Sequence, residues 1–247
     1  ARAAEADELR CPEPAAAAAM RAAVAQAARE RDTLGGHFVV AALGLPPGLG
    51  SHVHWDRKLD GRVLAALASV PAVKGVEIGP AFQNAQLRGT RVHDAILLDD
   101  AGGLRRGGNR AGGLEGGITT GEAVVLRAAM KPIATTLTPQ SSVDLATGQP
   151  AETRYERSDI CAVPRAAVIG EAMLAFVLAD ALLEKLGGDS MAELEARLAG
   201  LRRSRVADLP MDGQAWLAWP AEGDDAAPAG EDAGGSTGSA PAADHGR

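Results

Sequence analysis

Three short segments carry side chains that could bind an anion or handle a proton. Arg157 and Asp159 stand two residues apart in Arg157-Ser158-Asp159-Ile160-Cys161-Ala162-Val163-Pro164-Arg165. In an extended backbone they share a face, where an arginine can hold an anion and lower the pKa of the neighbouring carboxylate. A surface ion pair is the commoner use of such residues. Lys131-Pro132-Ile133-Ala134-Thr135-Thr136 places one cation before a rigid proline and two hydroxyls. That segment can hold a phosphate through one charge and several donors; a solvated lysine at a strand end has the same sequence. Between Asn109 and Gly121, two Gly-Gly pairs bracket Leu114-Glu115. Closely spaced glycines let the backbone approach a ligand and aim its N–H groups at an anion, or they simply make a tight loop. Their spacing is neither that of a P-loop nor that of the dinucleotide fingerprint.

Other chemistries find less support. His52 and His54 precede Asp56, but no third ligand follows at a useful spacing, so no metal site is expected. A Gly-x-Ser-x-Gly nucleophile elbow is absent. Cys11 and Cys161 are far apart and are expected as reduced thiols, with Cys161 packed among apolar neighbours.

The chain has 247 residues, enough for one large domain or two small ones. Hydrophobic residues make up 46% and aromatics only 3%, so Ala, Val and Leu must supply the core. The net charge of −7 is mixed along the chain, which argues against a nucleic-acid partner but not against a local basic pocket. No apolar run is expected to reach the roughly 18 residues of a bilayer span. Ala1 to Arg10 is mixed and charged, unlike a signal peptide, so a cytoplasmic protein without a membrane partner is expected. The chain starts without Met inside helix-like sequence, as a fragment or a processed product would.

The elements that must position these segments can be placed by pattern. Pro12 and Pro14 open an Ala-rich helix running to Arg31, with Gly35 or Gly36 available for its left-handed cap. His37 to Leu45 reads as a strand, Asp60 to Ser69 as a helix, Ala72 to Ile78 and Asp94 to Leu98 as strands. Glu122 to Met130 has Val124, Val125 and Leu126 in favour of a strand. Ala166 to Leu186 reads as a helix with Ile169, Met173, Phe176 and Val177 as its packing stripe. Asp189-Ser190 with Glu193 makes a capping box for a further helix to about Arg205. Residues 208–247 form an acidic Gly/Ala/Pro-rich tail, expected to be mostly disordered.

Taken in order, several of these stretches resemble chorismate synthases. They are Gly50-Ser51-His52, Asp56-Arg57-Lys58-Leu59-Asp60, Ser69 through Gly79, Asn109 through Gly121, Lys131-Pro132, and Arg157 to Cys161. The last resembles the family's Arg-His-Asp-Pro-Cys signature, with Ser158 in place of the His and Ile160 in place of the Pro, as in the actinobacterial branch. The resemblance implies an α+β fold, a helical core between antiparallel β-sheets, of which residues 1–207 are the C-terminal portion. It implies phosphate elimination from 5-enolpyruvylshikimate 3-phosphate to give chorismate, with reduced FMN and no net redox change, in a homotetramer when full length. Carried over by position, flavin contacts fall at Pro71, Ala72, Gly116, Lys131, Pro132, Ile133, Ala134, Thr135 and Arg157. Asp159 takes the place of the acidic residue that handles a proton at the flavin ring.

Two further family signatures, a Gly-Glu-Ser-His-Gly-like loop and a Gly-Arg-Ser-Ser-Ala-Arg-like loop, do not occur in this sequence. They supply two acid histidines and the arginines that hold the substrate phosphate, and His52, His54 and His93 do not match them. The N-terminal half is thus expected to be missing, and this chain alone to be inactive. A non-catalytic flavin- or phosphate-binding module and an inert structural remnant are the alternatives.

Overall fold

The structure, a computed structural model, describes residues 2–201. A short helix α1 (Arg2–Glu5) leads to α2 (Pro14–Arg29), which starts where Glu13 accepts the N–H groups of Ala15 and Ala16 and Pro14 occupies the first turn. Next come β1 (Gly36–Ala42), α3 (Leu59–Ala68), β2 (Val73–Ile78), α4 (Ala81–Asn84) and a 3₁₀ turn at Gly89–Arg91. Four short strands follow: β3 (Ile96–Leu98), β4 (Leu104–Arg106), β5 (Leu114–Glu115) and β6 (Ile118–Thr119). Then β7 (Val124–Met130), β8 (Ser141–Val143), β9 (Pro150–Glu152), α5 (Val163–Leu186) and α6 (Met191–Leu201) complete the fold, which is α+β.

The main sheet has the order β1-β7-β2, antiparallel throughout. Gly36 faces Met130 and Ala42 faces Val124 across the first pair; Ile78 faces Leu126 across the second. Helices α3 and α5 pack on one face of this sheet and on each other. Leu59, Val63 and Leu67 of α3 meet Val124, Leu126 and Ala128 of β7 in the centre of the core, all fully buried. The remaining strands pair as three small antiparallel hairpins, β3–β4, β5–β6 and β8–β9.

The expected elements through α6 are present, and several expectations need correction. The end of α2 is capped by Arg31, not by Gly35 or Gly36. Arg31 adopts φ 61° and donates its N–H to Ala28, while Asp32 N–H reaches Ala27, a Schellman closure without glycine. The expected packing stripe of α5 is only half right: Val177 is buried and Met173 packs on the core, but Ile169 and Phe176 are exposed, at 48% and 75%. The buried face runs through Ala166, Gly170, Leu174, Val177, Leu178 and Ala181. Small residues let the helix lie close to β1, so its contact face is not the one with the largest side chains. Finally, α5 has 24 residues and contains an 18-residue window of mean hydropathy 2.0, long and apolar enough by composition to cross a membrane, contrary to expectation. Part of that apolar surface packs on β1 and α3, while Val168, Ile169, Phe176 and Leu183 are exposed. The helix also carries Glu171, Asp180 and Glu184, paired with Arg10, Arg62 and Arg57. The end of the helix expected to reach Arg205, and the tail at 208–247, lie outside the described residues.

The α5 contact yields a sharp test. A methyl at Gly170 would sit 2.7 Å from Cε2 of Phe38. Alanine should gain about 1 kcal/mol of helix propensity at an interior position, but overpacking costs about 1–3 kcal/mol. Gly170→Ala is therefore expected to lower the urea midpoint of unfolding, and to raise it once Phe38→Leu has removed the ring.

Candidate functional site

Three of the predicted segments converge at one end of the main sheet. β7 ends at Met130, and Lys131 follows directly; its N–H donates to the carbonyl of Ala72 at 2.9 Å. This brings the Pro71-Ala72 turn, which feeds β2, against the start of the Lys131–Thr135 loop. Ala72 is held at φ 68°, an unusual conformation for a residue with a side chain. On the other flank, the Thr135 hydroxyl donates to the Ser158 hydroxyl at 3.2 Å, and Ser158 Oγ lies 3.3 Å from the Thr135 carbonyl it donates to. The Lys131–Thr135 loop and the Arg157–Asp159 segment are thereby neighbours. The Asp159–Arg165 pair adjoins them, at the first turn of α5.

The charges are arranged differently from the sequence expectation. Asp159 does not pair with Arg157; its Oδ2 lies 2.8 Å from Nη1 of Arg165. Spacing of two residues suggested the nearer arginine, but α5 begins at Val163 and its first turn carries Arg165 back toward the carboxylate. Among the described residues, neither Lys131 nor Arg157 has a salt-bridge partner. Two uncommitted cations on adjoining loops are suited to an anion with several oxygens. The Thr135 hydroxyl and the Ile133 carbonyl are already engaged, with Ser158 and with Thr33.

Gly116 is placed elsewhere. It sits in the two-residue loop between β5 and β6, where Glu115 faces Ile118, with φ 62° at Gly116 and 95° at Gly117. The Gly117 carbonyl accepts the N–H of Leu59 at the first turn of α3, whereas Pro71 and Ala72 follow that helix's other end. Ten residues of helix, at about 1.5 Å each, separate the two places by roughly 15 Å. The other glycines of this segment serve packing: a Cβ at Gly112 would crowd the Gly79 backbone, and one at Gly113 the carbonyl of Ala123. Asp94 anchors the segment by accepting the N–H groups of Arg110 and Ala111 at 3.0 and 2.9 Å. Gly116 alone faces open space.

Two cavities lie away from these loops. One of about 360 Å³ is lined by Pro46, Pro47, Ile96, Arg106 and Glu122. One of about 510 Å³ opens between α1, β1 and α5, beside Cys11, His37 and Glu171. Neither includes a residue carried over as a flavin contact. Among the described residues no three His, Cys, Asp or Glu side chains gather as a metal site, and Cys11 and Cys161 are unpaired.

The sequence reading missed the turn that joins α2 to β1. Gly35 in that turn faces Pro132; a methyl there would run into the Met130 carbonyl and come within 2.9 Å of the proline ring. Only the residue string Asp32-Thr33-Leu34-Gly35-Gly36 was visible, and it reads as a helix stop.

Comparisons with known proteins identify the family. Residues 1–183 match the family model described as chorismate synthase. The chain is 56% identical over 193 residues to a chorismate synthase of Moorella thermoacetica, covering 78% of this chain and 50% of that protein. It is 55% identical over 196 residues to one from Salinispora tropica, covering 79% and 50%. A crystal structure of chorismate synthase superposes with a TM-score of 0.68 at 43% identity, over 81% of this chain and 54% of the other. The chain thus spans about half the length of the curated relatives it matches.

Gly35→Ala should destabilise the 247-residue chain by about 1–3 kcal/mol in urea unfolding, because backbone and a proline ring block the added methyl. Arg165→Ala should cost less than about 1 kcal/mol, since the Arg165 side chain itself is largely exposed to water.

Proposed function

This chain belongs to the chorismate synthase family, and from that premise we propose that it carries the flavin side of a chorismate synthase active site. The observation that supports this most directly is the meeting of the Lys131–Thr135 loop with Arg157–Asp159 at the end of β7. In this reading residues 1–207 form the C-terminal portion of the enzyme domain, and 208–247 a tail.

The residues suit reduced FMN. Lys131 and Arg157 offer two cations without salt-bridge partners among the described residues, as a phosphate-bearing ligand requires. Pro132 stiffens the loop, and Thr33 and Ser158 hold its peptide groups. Bound there, reduced FMN supplies electron density as phosphate departs and is unchanged at the end. The substrate is 5-enolpyruvylshikimate 3-phosphate: its carbon–oxygen bond to phosphate breaks, the C6 proton is lost, and the electron pair released becomes the new double bond of chorismate. Asp159 is the group here that can take part in proton handling, as a carboxylate kept close to Arg165. The acid histidines and the arginines that hold the substrate phosphate belong to signatures that this sequence does not contain, so the reaction needs them from the rest of the enzyme. The proposal places that enzyme in the cytoplasm, as a homotetramer.

Fluorescence titration of the chain with FMN, in oxidised and dithionite-reduced form, tests the flavin assignment. Binding is expected, and Lys131→Ala and Arg157→Ala should each weaken it about tenfold or more, as expected for loss of a charge-assisted hydrogen bond. Unchanged affinity in both variants, with unfolding midpoints like the wild type, would refute it.

A further inference from the structure

The turn between α2 and β1 contacts both loops of the proposed flavin site at once. Arg31 donates from Nη2 to the Leu137 carbonyl at 3.1 Å, and its own carbonyl accepts the Thr138 N–H at 3.1 Å. Thr33 Oγ1 donates to the Ile133 carbonyl at 2.6 Å. Leu34 N–H donates to the Ile160 carbonyl at 2.8 Å, and Leu34 pairs with Cys161 in a parallel bridge. Gly35 leaves room for Pro132. Four of the five residues from Arg31 to Gly35 thus grip the segment 131–138 on one side and 160–161 on the other.

Thr33 is the polar centre of this turn. Among the described residues, only Thr33 and Thr119 are polar and buried, Thr33 at 7% exposure. Thr119 has a plain structural duty, accepting the Leu49 N–H and donating to the Pro46 carbonyl. Thr33 instead spends its hydroxyl on the middle of the Lys131–Thr135 loop. A buried hydroxyl that lost this acceptor would be left unsatisfied, and so would the carbonyl. The turn is also kept at a local cost: Arg31 sits at φ 61°, where a residue with a side chain is strained.

We propose that Thr33 is a positioning residue, whose hydroxyl fixes the Lys131–Thr135 loop in its anion-holding shape and so governs affinity for the phosphate of the flavin. Thr33 does not touch the ligand. It orients the Ile133 peptide and, through Leu34, keeps the Arg157–Cys161 segment at a set distance. This rests on the flavin reading of the site.

The test compares wild type, Thr33→Val and Thr33→Ser in the full 247-residue chain. Valine keeps the volume and loses the donor; serine keeps the donor. Each is titrated with FMN and with riboflavin, which lacks the phosphate, and amide hydrogen exchange is followed over 131–138 and 157–161. Thr33→Val should bind FMN about three- to tenfold more weakly, the range set by one lost hydrogen bond, with riboflavin affinity unchanged. Thr33→Ser should restore FMN affinity, and exchange should quicken in both segments of Thr33→Val only. Equal weakening toward FMN and riboflavin would mean general loosening of the fold and would overturn the assignment, as would unchanged exchange in Thr33→Val. Wild-type binding of FMN with an unaltered Thr33→Val overturns the positioning role alone. Absence of FMN binding by the wild type overturns the flavin reading, and this role with it.

Discussion

β7 has a hydrogen-bonded neighbour on both sides, and its inward residues Val124, Leu126 and Ala128 are wholly buried against α3. Its register is consequently the constraint that positions the candidate site. A slip of one residue would turn Leu126 outward and drive Arg127 into the core. Arg127 now lies on the open face of the sheet, 3.3 Å from Glu77 on the adjoining strand. Burying that guanidinium without its partner would cost several kcal/mol, far more than the sheet could recover from a shifted ladder. Because Lys131 follows the last residue of β7, the apolar demand of the core also decides where the first cation of the site emerges.

The site is then closed from outside the strand, by turns held in uncommon backbone conformations. Three non-glycine residues among those described have positive φ: Arg10, Arg31 and Ala72. Two of them flank the end of β7. Arg31 opens the turn that grips the Lys131–Thr135 loop, and Ala72 offers its carbonyl to Lys131. Each conformation costs on the order of 1 kcal/mol and persists only where surrounding contacts over-determine it. Here those contacts are the hydrogen bonds to Leu137, Thr138 and Lys131. Strain concentrated at the mouth of a loop pair is consistent with preorganisation for a ligand.

Much of this was legible because the signals were local. Val124-Val125-Leu126 announced β7, and the lysine-proline pair after Met130 announced a stiff loop with a cation. What was hidden depended on which residues meet in space. The partner of Asp159 could not be read from spacing, because Arg165 approaches through the start of a helix that begins three residues earlier than its apolar pattern suggests. The packing face of α5 was hidden because Ala166, Gly170 and Ala181 carry too little side chain to register as a stripe, yet their smallness is what lets the helix approach Phe38 and Val40. Thr33 was hidden for a related reason. A hydroxyl in a helix-ending turn looks like ordinary loop chemistry, and its acceptor lies a hundred residues away in sequence.

The same distinction separates the candidate site residues from one another. The common two-residue hairpin loops demand positive φ at their first central position, so the Glu115–Ile118 pairing requires glycine-like backbone at 116 whether or not a ligand is near. The identity of Gly116 is therefore explained by the turn alone, and its place beyond the far end of α3 means it cannot share a single phosphate with Lys131. If both touch one flavin, they must touch different parts of it. Lys131 and Arg157 are different: no local backbone need explains a cation at either position, and neither has a salt-bridge partner among the described residues. A charge without an internal counter-ion is stabilised by water or by a bound anion. The proposed flavin role accordingly rests on those two cations and on the turns that hold their loops together.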